Sequence, residues 1–258
     1  MTTQPSPDQE LLQRFTTDAA KGHPNLRPRD ASTLILLDSR GSEPKVLMGK
    51  RHQGHVFMPG RFVFPGGRID PADSRMPVAG PLDPRAEQKL MLKIRRPSVA
   101  RARALALTAV RETFEETGLL LGTREAGNPA PERAKSSSPS DAAWSAFVEA
   151  GIHPDLSSMH FIARAVTPPH RARRYDTRFF TADISAIAHR VEGKVGPDAE
   201  LVELVWLPLS EIKQRIELMA ITELVLRDLQ VQLENGFSHD LPVPYYHVVH
   251  GRRVRDFL

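Results

Sequence analysis

The sequence has no cysteine, no long run of apolar residues and no large excess of charge of one sign. Without cysteine, the chain can form neither a disulfide bond nor a thiol nucleophile. No segment suggests a membrane span, and the first residues lack the basic start and apolar run of a signal peptide. These absences exclude thiol catalysis and favour a cytoplasmic protein without a membrane anchor.

The net charge is small, at +4, and the isoelectric point is near 9.6. Such a balance suits an anionic small molecule but is too modest to indicate binding of nucleic acid. The 258 residues, of which 40% are hydrophobic, are enough to bury one full core. We therefore expect a single domain over residues 1–258, without internal repeats, that acts on a small ligand.

Residues 111–118 read Arg-Glu-Thr-Phe-Glu-Glu-Thr-Gly and contain three acidic residues. Glu115 and Glu116 follow Glu112 by three and four residues. In a helix all three therefore lie on one side, while apolar residues occupy the opposite side. Like charges at this spacing repel each other unless a cation neutralises them. The pattern therefore indicates a Mg²⁺ or Mn²⁺ site, and an ordinary solvated acidic face is the alternative.

A second stretch lies upstream at residues 64–70 and reads Phe-Pro-Gly-Gly-Arg-Ile-Asp. Together the two stretches resemble the box of the Nudix hydrolases, G-x5-E-x7-R-E-U-x-E-E-x-G-U, where U is apolar. Gly67 matches the leading glycine, and residues 111–119 match the second half. Two positions depart from the pattern, because Asp73 stands where the first glutamate belongs and Thr113 fills an apolar position.

The box is also divided by an insertion. Residues 74–110 stand where the pattern has only seven positions, and we place the inserted segment at residues 74–103. A box divided in this way resembles the branch of Nudix hydrolases that includes peroxisomal coenzyme A diphosphatases. The resemblance implies an α/β fold, an α/β/α sandwich with a mixed sheet. A helical extension at residues 1–25 and a tail at residues 236–258 would be added to it.

The resemblance also implies a reaction and a metal site. The reaction is hydrolysis of the diphosphate linkage in a nucleoside diphosphate derivative, with coenzyme A or acyl-coenzyme A as the expected substrate. Mg²⁺ or Mn²⁺ would be bound by Glu112, Glu115 and Glu116, with the carbonyl oxygen of Gly66 as a further ligand. Arg111 would orient these glutamates through ion pairs.

Nudix enzymes commonly present another acidic residue as metal ligand or base, and Glu200 and Glu203 are the candidates for it. Strand alternation puts Glu203 on the face opposite its apolar neighbours, so we take Glu203 as a catalytic residue. Glu200 or one of the box glutamates is the alternative. Glu203 could equally be a solvent-facing strand residue.

Several basic residues outside the box are candidate contacts for the substrate, because the planar guanidinium of arginine suits phosphate oxygens. Residues 167–180 resemble the T-P-x5-R-x-D-T-x-F-F stretch of the same branch. An ordinary surface or turn role is the alternative for each of them. The candidates are Arg51, Arg173, Arg174 and Arg178, together with His55.

The insertion is strongly basic. Residues 74–110 contain eight arginines and lysines against Asp83 and Glu87, a net charge of +6, and Asp83-Pro84 predicts a helix reaching about Ile94. The segment is either a solvated helical face or a basic flap over an anionic ligand. The flap hypothesis predicts a raised KM when four of its cations are neutralised. These cations are Lys89, Lys93, Arg95 and Arg96.

Two other functions stay open from the sequence. The box says nothing about the group beyond the diphosphate, so the enzyme could instead be an ADP-ribose or dinucleotide pyrophosphatase. In another class, the chain could be a non-catalytic Nudix module that binds a nucleotide, a protein or RNA. The apolar stripe of the helices between residues 210 and 233 fits either the core or the interface of a homodimer.

Overall fold

A mixed β-sheet runs through the computed structural model, which describes residues 11, 12, 14, 23–54, 59–124 and 139–258. Nine strands form the main sheet and two form a small one. The main sheet contains β1 (Arg29–Asp38), β2 (Lys45–Arg51), β3 (Phe62–Val63), β4 (Gly66–Arg68), β6 (His160–Val166), β7 (Tyr175–Asp183), β9 (Leu201–Pro208), β10 (Pro244–Val249) and β11 (Arg252–Phe257). The small sheet pairs β5 (Leu119–Leu121) with β8 (Ile187–Arg190). The helices are α1 (Pro84–Leu90), α2 (Val99–Thr117), α3 (Pro139–Glu149), α4 (Ile212–Arg215) and α5 (Ala220–Glu234).

Strand β1 is the centre of the main sheet. The strand order is β11-β10-β6-β7-β1-β2-β3, while β4 pairs with β1 and β9 pairs with β2. The β1–β7 and β6–β10 pairs are parallel, and the other pairs are antiparallel. Because β1 is covered on both faces, its residues 34–37 are all buried.

The two faces of the sheet carry two separate apolar clusters. Leu34 and Leu36 of β1 pack with the face that α2 covers, and Ile35 belongs to the cluster that contains Leu224 and Leu229 of α5. This alternation follows from the pleat of a strand, which turns successive side chains to opposite faces. The predicted α/β/α sandwich with a mixed sheet is therefore confirmed.

Helix α2 has the boundaries that the sequence predicts. The Ser98 side chain accepts a hydrogen bond from the Arg101 backbone nitrogen and begins the helix. Gly118 ends it in the left-handed region, with φ of 77°. A Cβ at this position would lie 2.1 Å from the carbonyl oxygen of Val191, the residue that follows β8. Only glycine therefore lets the end of α2 pack this closely against the backbone at Val191.

The insertion packs on the C-terminal tail. Helix α1 ends at Leu90 rather than near Ile94, so the predicted length is wrong, and turns follow it. The Lys89 Nζ atom donates to the carbonyl oxygens of His239 and Leu241, at 2.6 and 2.5 Å. Two ion pairs, Arg85–Asp240 and Lys93–Asp256, also join the insertion to the tail. Together these contacts favour a structural role for the insertion and count against the flap hypothesis.

Lys89→Met is expected to destabilise the protein, because two tail carbonyl groups lose their charged donor. The expected loss is about 1–2 kcal/mol in the free energy of unfolding. Urea denaturation of this variant and of Arg95→Met, which changes an exposed side chain of the same segment, measures the difference. Equal denaturation midpoints for the two variants would show that the contact between the insertion and the tail contributes nothing.

The tail itself, whose role was not predictable from sequence, supplies β10 and β11 and extends the sheet by two strands. Of the predicted N-terminal extension at residues 1–25, Leu11 is buried in the cluster that contains α5. Most of that extension lies outside the described residues. Among the helices that the structure describes, none is both long and apolar enough to cross a membrane.

Candidate active site

The glycine pair of β4 lies directly beneath the carboxylates of α2. A Cβ on Gly67 would lie 2.5 Å from the carboxyl atoms of Glu112, and a Cβ on Gly66 would lie 2.6 Å from the carbonyl oxygen of Ser32. The Gly66 backbone N–H donates a hydrogen bond to Glu116. A side chain at Gly67 would push β4 away from α2, and one at Gly66 would push β4 away from β1, so the two glycines permit close approach on both sides.

Asp73 anchors the arginine of the box. Its carboxylate is fully buried and accepts from Arg111 Nε at 2.7 Å and from Arg111 Nη2 at 3.1 Å. The Trp144 indole nitrogen, the Thr108 hydroxyl and the Asp70 backbone N–H also donate to it. Every one of these partners donates, so hydrogen bonds surround the carboxylate on both oxygens and pair it with the buried guanidinium.

Arg111 in turn holds two of the glutamates. Its Nη1 atom donates to Glu112 Oε1 at 2.8 Å and to Glu115 Oε2 at 3.1 Å, and its Nη2 atom donates to the carbonyl oxygen of Arg68. One guanidinium therefore joins the glycine loop, Asp73 and the carboxylates. The orienting role of Arg111 stays a prediction, and these contacts are the ones that it requires.

Burial of the three carboxylates disfavours their charged forms and raises their pKa values. Burial raises the pKa of Glu112 to about 7, although the Arg111 guanidinium opposes the shift. Burial also raises the pKa of Glu115, against attraction from Arg111 and Lys194. The pKa of Glu116 lies well above the usual range, first through burial and then through repulsion from Glu200 and Glu112. A divalent cation would relieve this excess of negative charge.

The donor set fits a hard divalent cation. Glu115 Oε1 and Glu116 Oε2 are buried and have no hydrogen-bond partner. Across the described ranges of the chain, no three acidic or histidine side chains converge on a point that would hold a metal ion. Mg²⁺ usually takes one or two carboxylates and keeps waters or substrate oxygens as its other ligands, so an incomplete set of carboxylates suits it.

The structure brings Glu200, not Glu203, to the glutamates of the box. Arg51 Nη2 lies 3.0 Å from Glu200 Oε1, and the charges of both residues act on Glu116. Glu203 is exposed, and alternation along β9 puts it on the face of Val205 and Leu207, which pack away from α2. The structure therefore turns Glu203 away from the box glutamates, whereas Glu200 and Arg51 lie close enough to Glu116 for their charges to act on it.

Two of the three arginines predicted as contacts in residues 167–180 are engaged with other parts of the protein. Arg178 is 0% exposed, and its Nη1 atom donates to Asp30, so it has no access to a substrate. Arg174 donates to backbone and side-chain oxygens of the segment preceding β1, Leu26 and Asn25 among them. Arg173 is exposed on the turn before β7, and His55 lies outside the described residues.

Two features of the site were missed from the sequence. Trp144 comes from α3 and donates to Asp73 across 71 positions of the chain, which no local pattern reveals. Lys194 follows β8, and its ammonium lies 5.0 Å from the centre of the Phe114 ring. For the pairing of Asp73 with Arg111, the sequence offered one signal: Asp73 occupies the position of the first glutamate in the family pattern.

A glycine loop beneath a helix of three glutamates, on an α/β/α sandwich, defines a Nudix-type hydrolase. A family model described as the NUDT19 Nudix domain matches residues 28–222, well over half of the chain, so the chain belongs to this family. The predicted resemblance to the branch with a divided box is thereby confirmed. Nudix hydrolases act on small nucleotide substrates and generally use divalent metal ions.

Solved structures of Nudix proteins resemble the chain. A NUDIX hydrolase from Alicyclobacillus acidocaldarius is 27% identical, with a TM-score of 0.55, and the match covers 81% of this chain and 96% of that one. The NUDIX domain of Shewanella oneidensis NrtR, complexed with ADP ribose, is 15% identical with a TM-score of 0.45. That match covers 81% of this chain and 90% of the other. The first of these supports the Nudix fold over most of both chains.

Proposed function

We propose that the protein hydrolyses the diphosphate linkage of coenzyme A or an acyl-coenzyme A. The observation that carries this proposal is the placement of Glu112 and Glu116 over Gly67 and Gly66, where backbone, carboxylates and a diphosphate can come within contact distance. The choice of substrate rests on the divided box and on the family that the model describes. An ADP-ribose or dinucleotide pyrophosphatase is the alternative within the same chemistry.

Each group of residues at the site has a separate role in the proposed reaction. Glu112 and Glu116 would hold Mg²⁺ or Mn²⁺ together with the Gly66 carbonyl oxygen, and Glu115 would act beside them as a bridging carboxylate. The cation, when bound, polarises phosphate oxygens and lowers the pKa of the attacking water. Asp73 and Arg111 keep the glutamates in place. Glu200, held by Arg51, accepts the proton of the water as general base.

A substrate panel tests the proposal. Coenzyme A, its acyl esters, ADP-ribose, NADH and nucleoside triphosphates are each incubated with the protein and Mg²⁺ or Mn²⁺, and the released nucleotide is measured. We expect the highest kcat/KM for coenzyme A or its esters. A higher value for ADP-ribose or NADH would select the alternative enzyme. Tight nucleotide binding without any release would identify a non-catalytic module.

Two glutamine variants test the assignment of the base. Glu200→Gln is expected to lower kcat by about 100-fold, within the range usual for loss of a general base. Glu203→Gln makes the same change on the opposite face of the sheet and is expected to keep wild-type kcat. Steady-state kinetics on the best substrate of the panel measure both. The reverse order of effects would return the role to Glu203.

A further inference from the structure

A strap at residues 236–243 lies between α5 and β10 and contains neither helix nor strand. Two consecutive residues at its start, Gly236 and Phe237, have φ angles of 67° and 54°. Glycine adopts this left-handed region freely, but a bulky residue such as phenylalanine does so only where its surroundings hold it there. The strap therefore begins with a turn that depends on the contacts made by its own side chains.

The rings of the strap pack on His160, the first residue of β6. The centre of the Phe237 ring lies 5.2 Å from the centre of the His160 ring. The His239 ring stacks on His160, with 4.2 Å between the ring centres and 14° between the ring planes. All three side chains are partly buried. The first half of the strap is therefore attached to the main sheet through the imidazole of His160.

The strap also contacts the insertion, and these contacts are charged. The Lys89 ammonium donates to the carbonyl oxygen of His239, and the Nε2 atom of the same histidine lies 4.0 Å from the Asp83 carboxylate. Arg85 binds both Asp83 and Asp240. The charged groups that face the two imidazoles therefore come from α1, from its N-cap and from the strap itself.

His160 has no anionic partner in contact with it. Among the residues that the structure describes, no carboxylate lies within ion-pair distance of its ring, and α5 contributes the uncharged Gln232 beside it. The Asp83 carboxylate, which Arg85 already binds, attracts a proton on His160 only from beyond that distance. A protonated His160 would therefore face a second imidazole without a counter-charge of its own.

The surroundings of the two imidazoles favour their neutral forms. Burial lowers the pKa of His160 to about 4, and repulsion from His239 is the next cause. Burial also lowers the pKa of His239, and the Asp83 carboxylate opposes this shift. A histidine whose pKa falls from about 6.5 to a lower value when it is covered favours the covered form above about pH 6.5. That contribution is lost as the pH falls toward the lowered pKa.

We propose that residues 236–243 form an acid-sensitive strap, which leaves β6 and α1 when His160 takes up a proton. Once released, the imidazolium is solvated and no longer faces a second imidazole, and the turn at Phe237 can leave the left-handed region. Helix α1 stays in place, because its Ala86 and Leu90 are buried in the core cluster that contains α2. The inference concerns the junction of the insertion and the tail, so it does not depend on the proposed function.

Hydrogen exchange measured by mass spectrometry at pH 7 and pH 5, with rates corrected for the intrinsic effect of pH, tests this inference. In the wild type, protection of the strap is expected to fall by about 20-fold between the two pH values, as a pKa lowered from about 6.5 to about 4 requires. Residues 161–166 of β6 should keep their protection. His160→Phe keeps a ring beneath the strap but cannot be protonated, so its strap should lose only a few-fold. His189→Phe, the same change at an exposed position of β8, should lose as much as the wild type.

His239→Phe provides a second variant. It keeps a ring on His160 and removes the repulsion but not the burial, so its loss of protection should lie between those of the wild type and His160→Phe. An equal loss in the wild type and in both variants overturns the inference, as does a strap that stays fully protected in the wild type at pH 5. A parallel loss over residues 161–166 does so too, because it would show general unfolding in acid instead of release of the strap.

Discussion

Glu116→Gln is expected to abolish metal-dependent turnover while making the metal-free protein more stable. Glutamine keeps the shape of the side chain and an acceptor for the Gly66 N–H, but it removes the charge that binds the cation. Activity should fall by at least about 100-fold, since losing even residues outside the ligand set of a metal commonly costs 10–100-fold. Steady-state kinetics on the best substrate measure the loss.

The gain in stability follows from the raised pKa of Glu116. A buried acid whose folded-state pKa is raised binds its proton more tightly in the folded than in the unfolded chain. The wild type therefore loses stability as pH rises above the ordinary carboxyl pKa, up to the raised value. Glutamine does not titrate, so the advantage of Glu116→Gln should be near zero at pH 4.5 and grow toward pH 8.

Chemical denaturation with a chelator present, at several pH values, measures this difference. Glu234→Gln, an exposed change near the end of α5, is the control and should alter neither activity nor stability. Added Mg²⁺ should reduce the advantage, because the ion stabilises the folded wild type by binding to it. A Glu116→Gln protein that is less stable than the wild type at pH 8 would contradict the account of the carboxylate cluster.

Asp73→Asn is expected to cause the largest loss of stability of any single change at the site. The amide would turn an NH₂ group toward Arg111, Trp144 or the Asp70 N–H, which are all donors, and would leave a buried guanidinium without its main counter-charge. Breaking a buried ion pair from one side costs about 3–5 kcal/mol. For a chain of this size, each kcal/mol lowers the melting temperature by about 2–4 °C.

Activity should fall as well, because Arg111 would no longer hold Glu112 and Glu115 in place. The matched control is Asp38→Asn, since Asp38 also binds one arginine, Arg40, through both carboxylate oxygens, but at the surface. Exposed pairs contribute little, so its melting temperature should stay near that of the wild type. Similar melting temperatures for Asp73→Asn and the wild type would show that the Asp73–Arg111 pair does not secure the helix.

The same environment explains why an aspartate serves where the family pattern has a glutamate. The five donors of Asp73 already surround its carboxylate, and the residue is fully buried. A glutamate would carry an extra methylene into this packed space. Asp73→Glu is for that reason expected to strain the site rather than improve it.

The sequence by itself determined the features that depend on neighbouring residues. The start of α2 at Ser98, its end at Gly118 and the grouping of three glutamates on one side follow from helix geometry and capping. The spacing of the box assigned the Nudix family, because many fixed positions match at once. The glycine pair was also predictable, since close backbone approach requires it.

Only the tertiary structure decided which distant residues complete the site. Glu200 and Glu203 are nearly equivalent in sequence, yet Glu203 lies within β9 opposite Lys50 and is exposed, whereas Glu200 precedes the strand and pairs with Arg51. The arginines of residues 167–180 have the composition of phosphate contacts, but Arg178 is buried on Asp30, 148 positions away. The basic insertion packs on a tail about 150 positions downstream rather than acting as a free cationic surface. In each case the outcome depends on contacts between segments far apart in the chain, and local patterns of charge and hydropathy carry no information about such contacts.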